Sequence, residues 1–264
     1  ALGLHGPASE QAATELLHLL VETGAFLNVF EPTIHEMRGV LAVHESRVGT
    51  HPGRMSLYPT DLTRHVLSQR LTPSDLSMKA SLLEKDIKGL GVSIREIPDR
   101  VPKWTMDEAL LGRMLADPET KNENQPRVVH DVDAVAGVLM YRRGQTSESI
   151  DTAGAVFATT SGLTVRNTRL WYESEGGHGF PPIVHQRALS NYAWLKKPAS
   201  ASRLKVHELT ALCSAALRPS RKAWANFLKH LRKLEESGEL TSDEATAIVA
   251  SDLTEGVLLE FDVN

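Results

Sequence analysis

The chain has 264 residues, 41% hydrophobic and 23% charged, which suits one or two buried cores and excludes a disordered or collagen-like polymer. No apolar run approaches a membrane span, and the opening ALGLHGPASEQ lacks the layout of a signal peptide. The net charge of −4 hides an asymmetry: Arg187 to Lys233 holds eleven Lys and Arg against one acid, Glu208, so a basic surface suited to a polyanion is joined to an acidic body.

Residues 8–23 carry the apolar spacing of an amphipathic helix, with Ser9 as expected N-cap and Gly24 as its stop. FLNVF at 26–30 reads as a buried strand. A helix from Thr33 to about Ser46 follows, with Thr33 and Glu36 matching a capping box that by itself accounts for the glutamate. HPGRMSLYPT at 51–60 is a loop. Helices are expected at 61–70 and 73–89, then a strand in GVSIREIP stopped by Pro98. Thr105 and Glu108 form a second capping-box pattern, opening a helix to about Ala116.

Pro126 suits the first position of the next helix. Val128, Val132, Val135 and Leu139 make its apolar stripe, Asp131 lies on the flank, and Asp133 points further toward solvent. Arg142 and Arg143 complement the negative end of this helix. One helical turn within 145–154, a strand AVFAT at 155–159 and a helix at about 164–173 come next. EGGHGFPP lacks the glycine spacing of a phosphate-binding loop and reads as a connector. IVH at 183–185 is a short strand. Helices are expected at 187–197, 203–217, 219–237 and 242–251, and VLLEFDV at 257–263 is a final strand. Strands alternating with helices indicate an α/β body, and the run 199–252 a helical C-terminal module.

The lone cysteine, Cys213, excludes an internal disulfide framework, suits a reducing cytoplasm, and reads as a packed thiol within a helical run. No HExxH, CxxC pair, GxSxG or Walker A motif is present. His130-Asp131 is the dipeptide of HD-type phosphohydrolases, a reading that requires several histidines to converge on Asp131. His35, His44 and His65 read as helix-surface or core residues.

What remains is a set of acids in suggestive places: Glu36 begins the helix after one strand, Asp131 begins the helix before another, and Ser161 ends that second strand. This order resembles the PIN-domain nucleases. In that family a strand and helix carry a glutamate, matched here by NVFEPTIHEMRGVL. A later helix carries an aspartate followed by small and apolar residues, matched by HDVDAVAGVL. A strand then ends in Thr-x-Asp or Thr-x-Asn, where this chain has Thr159-Thr160-Ser161. The likeness covers two blocks, about 10–45 and 126–172. The family's first aspartate lies on a central strand ahead of the first helix, so the resemblance implies that the chain begins just after that strand.

The resemblance implies an α/β fold with a PIN-like parallel sheet flanked by helices. Its domain would span 1–198, with a helical insertion at about 50–125, followed by a basic helical module at 199–264. It implies a metal-dependent nuclease of the cytoplasm acting on RNA rather than DNA. Glu36 and Asp131 would hold Mg²⁺ or Mn²⁺, and Asp133 and Ser161 would complete the catalytic set. Lys196, Lys197, Arg218, Arg221, Lys222, Lys229, Arg232 and Lys233 would grip nucleic acid, with no membrane partner. A regulatory protein or a second copy of the chain is a further expected partner. Tyr192 and Trp194 are candidates to stack bases, whereas the i, i+3 spacing of Trp224 and Phe227 favours core packing. The competing expectation is a catalytically inactive protein on the same scaffold that binds nucleic acid or a partner.

Overall fold

In a computed structural model, residues 7–50, 53–54, 60–116, 122, 124–196 and 221–251 are described. They form a mixed α/β chain, mostly helical, with short parallel strands. The elements in order are α1 (Pro7–Glu22), β1 (Asn28–Phe30), α2 (Glu31–Val48), α3 (Asp61–Ser68), α4 (Pro73–Gly89) and β2 (Ser93–Arg95). A 3-10 turn at Pro102–Trp104 leads to α5 (Glu108–Leu115), α6 (Pro126–Arg142) and β3 (Phe157–Thr159). Then come α7 (Gly162–Ser174), β4 (Ile183–His185), α8 (Gln186–Lys196), α9 (Arg221–Glu236) and α10 (Ser242–Ala250). Among the described residues no helix is long and apolar enough to cross a membrane. The expected helix at 203–217 and the expected strand at 257–263 lie outside the described residues, as does Cys213.

The chain divides into two compact units. One comprises residues 1–25, 37–91 and 199–264, and the other 26–36 and 92–198. The expected boundary at 198 closes the second unit. Residues 199–264 do not stand alone, because they group with the start of the chain and with 37–91. The core of the first unit explains why: Trp224 and Leu231 of α9 and Val249 of α10 are buried with Leu41, Val48, Leu62, Val66, Leu67 and Leu76. Trp224 and Phe227, with ring centroids 5.5 Å apart, are core residues as their spacing indicates.

In the second unit β1 pairs in parallel with β2, Asn28 opposite Ser93, and β3 pairs in parallel with β4, Phe157 opposite Ile183. Parallel neighbours need long crossovers, and helices supply them on both occasions. Helix α6 is the element around which this unit is built. Pro126 opens it, and Val128, Val135 and Leu139 are buried with Leu111, Leu115, Trp171 and Ile183. Gly137 lets Phe30 of β1 come close, since a Cβ there would meet the Phe30 ring at 2.9 Å. The helix stops at Arg143, whose left-handed φ of 52° is unusual for a residue with a side chain, followed by Gly144 at φ +72°.

Three local expectations are corrected. Helix α1 starts at Pro7, a favoured first residue, so Ser9 lies within the first turn instead of capping it. Helix α2 starts at Glu31, so Thr33 is already helical and its hydroxyl serves another partner. Asp107, not Thr105, caps α5, accepting a hydrogen bond from Leu110 N–H at 2.8 Å. The strands are also three residues long where five or more were expected.

Arg142 is 3% exposed and donates to the carbonyls of Ala155, Phe180 and Pro181 at 2.7, 2.7 and 2.8 Å. It therefore does more than complement a helix end. It fixes the chain entering β3 to the chain entering β4. Burial lowers its pKa, and no carboxylate offsets that among the contacts of the guanidinium. Arg142→Met is expected to leave three buried acceptors unpaired and to cost about 3 kcal/mol or more in urea unfolding. A loss under about 1 kcal/mol would contradict this role.

Candidate active site

Thr33 and Glu36 follow β1, and Ser161 and Thr164 follow β3. In open α/β sheets the carboxyl ends of parallel strands are where ligands collect. Helix α6 adds His130 and Asp131 from its second turn.

His130 joins these groups. Its Nε2 lies 2.7 Å from Thr33 Oγ1, and its Nδ1 lies 3.1 Å from Asp131 Oδ1 and 3.6 Å from Glu36 Oε2. A carboxylate only accepts, so Nδ1 carries a proton. The ring also meets Phe157 of β3 edge-on, with centroids 6.2 Å apart. On the other side of Asp131, Thr164 Oγ1 lies 3.2 Å from Oδ2 and 2.8 Å from Ser161 Oγ. The single hydroxyl proton of Thr164 serves the carboxylate when the Ser161 hydroxyl donates back to Thr164. Ser161 itself caps α7, accepting from Thr164 N–H at 3.2 Å. Its oxygen is thus a structural acceptor, and its route to Asp131 runs through Thr164.

The Asp131 side chain is 14% exposed and that of Glu36 is 39% exposed. The hydrogen bond to Asp131 raises the His130 pKa, burial opposes it, and the charges of Glu36, Asp131 and Asp133 add to the rise. The surroundings thus shift the ring toward its protonated form relative to a free histidine, and its Nδ1 lies within reach of both carboxylates.

Asp133 faces elsewhere. It pairs with Arg100 at 2.6 Å, and Arg100 also holds Glu108 through two hydrogen bonds. This contact ties α6 to α5 and separates Asp133 from the Glu36–Asp131 pair. The flank position assigned to Asp131 and the outward position assigned to Asp133 agree with their exposures, 14% against 35%.

Among the described residues no three His, Cys, Asp or Glu side chains gather to hold a metal ion, which removes support for the HD-type expectation. His35 is exposed, and His44 is buried with its ring bonded to Val40 O and Thr63 Oγ1. Neither is placed as a ligand by these surroundings.

The expected nucleic-acid residues have varied settings. Lys196 pairs with Asp151 at 3.0 Å and lies 5.5 Å from the Tyr192 ring, while the Tyr192 hydroxyl donates to Asp151. The Tyr192 and Lys196 hydrogen bonds lower the Asp151 pKa. Lys196 is thus committed to an acid, in an exposed pair of little energetic weight. Lys197 and Arg218 lie outside the described residues, and Arg221 and Lys222 start α9. On that helix Lys229 and Lys233 are exposed opposite the buried Trp224 and Leu231, and Arg232 is exposed on the flank.

Sequence reasoning treated Thr33 as half of a capping box and His130 as half of a dipeptide motif. It did not single out Thr164 or Arg100. Thr164 had one local signal, its place three residues after an N-cap serine. Comparison with protein-family models, with curated proteins and with solved structures gives no match.

Because the folded pKa of His130 lies above its ordinary value, its stabilising contribution is complete below about pH 6.5 and fades as pH rises through the folded value. Urea unfolding of the wild type and His130→Gln from acid to alkaline pH checks this. Their difference is expected to shrink with rising pH, and a constant difference would contradict it.

Proposed function

We propose that the second unit is a PIN-like nuclease domain that hydrolyses phosphodiester bonds in RNA, using a divalent cation held by Glu36 and Asp131. The observation that carries this reading is the convergence of Glu36, Asp131 and the Ser161–Thr164 turn at the ends of two parallel strands, joined through His130. The donor set fits the cation. Carboxylates are hard oxygen ligands, and Mg²⁺ is commonly held by only one or two of them, with water and substrate phosphate filling the remaining positions. When bound, the cation supplies an activated water and neutralises charge developing on the phosphate.

The chain's own residues have distinct tasks. Glu36 and Asp131 hold negative charge at the carboxyl ends of β1 and β3. Thr164 orients Asp131, and Ser161 orients Thr164 by capping α7. Thr33 fixes the ring of His130, whose Nδ1 is turned toward both carboxylates. Exposed cations on α9 of the first unit, Lys229 and Lys233 among them, would make separate contacts with nucleic acid. Contacts of this kind bind the phosphate backbone without sequence preference and weaken with salt.

Asp131→Asn is expected to lower RNA cleavage in Mn²⁺ by about a hundredfold or more without changing the free energy of unfolding by more than about 1 kcal/mol. Thr164→Ala is expected to lower it about tenfold to a hundredfold, because only the orientation of Asp131 is lost. Cleavage by Asp131→Asn at the wild-type rate, with contaminating nuclease excluded, would remove the site and leave an inactive binding protein as the reading. Neutralising Arg221, Lys222, Arg232 and Lys233 together is expected to weaken RNA binding and to flatten its log–log salt slope by about 3. Unchanged binding would place the grip elsewhere.

A further inference from the structure

We infer that the groove between α7 and the end of β4 is a binding track for the phosphate backbone of a single nucleic-acid strand, with Arg166 and Arg169 as its contacts. The inference depends on the nuclease reading for the identity of its ligand. The groove has a volume of about 370 Å³ and is lined by Gly162, Val165, Arg166, Arg169, Leu170 and His185, with Glu173 at one end. It was not among the basic stretches that the sequence singled out.

Four observations carry the inference. First, Arg166 and Arg169 are exposed, and among the described residues neither guanidinium makes a hydrogen bond or an ion pair, although Glu173 lies one turn beyond Arg169. Residues three apart on a helix are neighbours, so the two cations point to the same side. Unpaired guanidiniums with free donor forks suit phosphate oxygens.

Second, the groove begins at Gly162, directly after Ser161, and α7 is the helix whose Thr164 bonds Asp131. At 100° per residue the two arginines stand about 140° to 160° around α7 from Thr164, so a strand lying there follows the outer face of that helix. Third, its floor is fixed. His185 Nε2 bonds the Thr160 carbonyl at 3.1 Å, and its Nδ1 accepts from Arg187 N–H at 3.1 Å. Both ring nitrogens are thus occupied by backbone partners. The cationic character belongs to the arginines. Fourth, Leu163 and Leu170 are 52% and 48% exposed beside them, giving apolar surface for sugars and bases. An acidic peptide shares the charge but needs no such surface.

The test is anisotropy of a fluorescein-labelled single-stranded RNA of about 12 nucleotides, with the full chain, in EDTA so that no cleavage occurs, over a salt series. Arg166→Gln/Arg169→Gln is expected to bind about tenfold more weakly, with the log–log salt slope flattened by about 1.4. The charge-matched control Lys103→Gln/Arg143→Gln, exposed residues at the far end of α6, is expected to stay within about twofold of wild type. Wild-type affinity and slope in the groove variant would overturn the inference, as would equal losses in both variants. Displacement of the RNA by polyglutamate as effectively as by unlabelled RNA would also overturn it, in favour of an acidic peptide. The two readings separate cleanly. Loss of binding in the groove variant beside an Asp131→Asn variant that cleaves normally would keep the track and remove the site. Asp131-dependent cleavage with undisturbed binding in the groove variant would do the reverse.

Discussion

The carboxylates of Glu36 and Asp131 both reach the ring of one partly buried histidine, and the second unit is arranged around that contact. His130 stands between Glu36 and Asp131, held by the hydroxyl of Thr33 and backed by the Phe157 ring. The arrangement depends in turn on the placement of α6, which carries both His130 and Asp131. Val128, Val135 and Leu139 anchor its apolar stripe, Gly137 admits Phe30, and Asp133 locks to Arg100. At its far end, Arg142 fixes the chain entering β3 and β4. One helix thus transmits the packing of the core to the geometry of the site.

Much of this was legible from residue spacing. The helices at 61–68, 73–89, 126–142 and 242–250 carry strong periodicity and clear end signals, and the structure places them within a few residues of the expectation. The three-residue strand at 183–185 was readable because apolar residues are bounded by prolines before it and a polar helix after it. Asp131 was separable from Asp133 by its angle from the apolar stripe. Other features were hidden for a physical reason, because a side chain's partner across the fold leaves no trace in local spacing. Thr33 and Glu36 satisfy a capping pattern, yet with the helix starting at Glu31 both turn to His130, 97 and 94 positions away in the sequence. Arg100 gathers Glu108 and Asp133 in the same nonlocal way. The composition of 199–264 suggested a separate module, but Trp224, Leu231 and Val249 share a core with Leu41, Val48, Leu62, Val66, Leu67 and Leu76 far upstream.

The charge asymmetry of the chain gains a more specific sense beside the structure. Part of the basic segment is consumed internally, as Lys196 is by Asp151. Other cations outside that segment stand unpaired beside apolar surface, as Arg166 and Arg169 do. Net charge over a stretch measures affinity for a polyanion in general, whereas unpaired guanidiniums at a groove specify where a strand can lie. The nuclease reading joins these facts into one account, in which carboxylates at the strand ends work on a backbone held by arginines nearby.

The most direct test of the central claim, that Glu36 and Asp131 form one divalent-cation site, is calorimetric titration with Mn²⁺ of the wild type, Asp131→Asn and Glu36→Gln. The account predicts saturable binding by the wild type that each substitution weakens at least about tenfold. Binding that is absent in all three, or that persists unchanged in both variants, would contradict it.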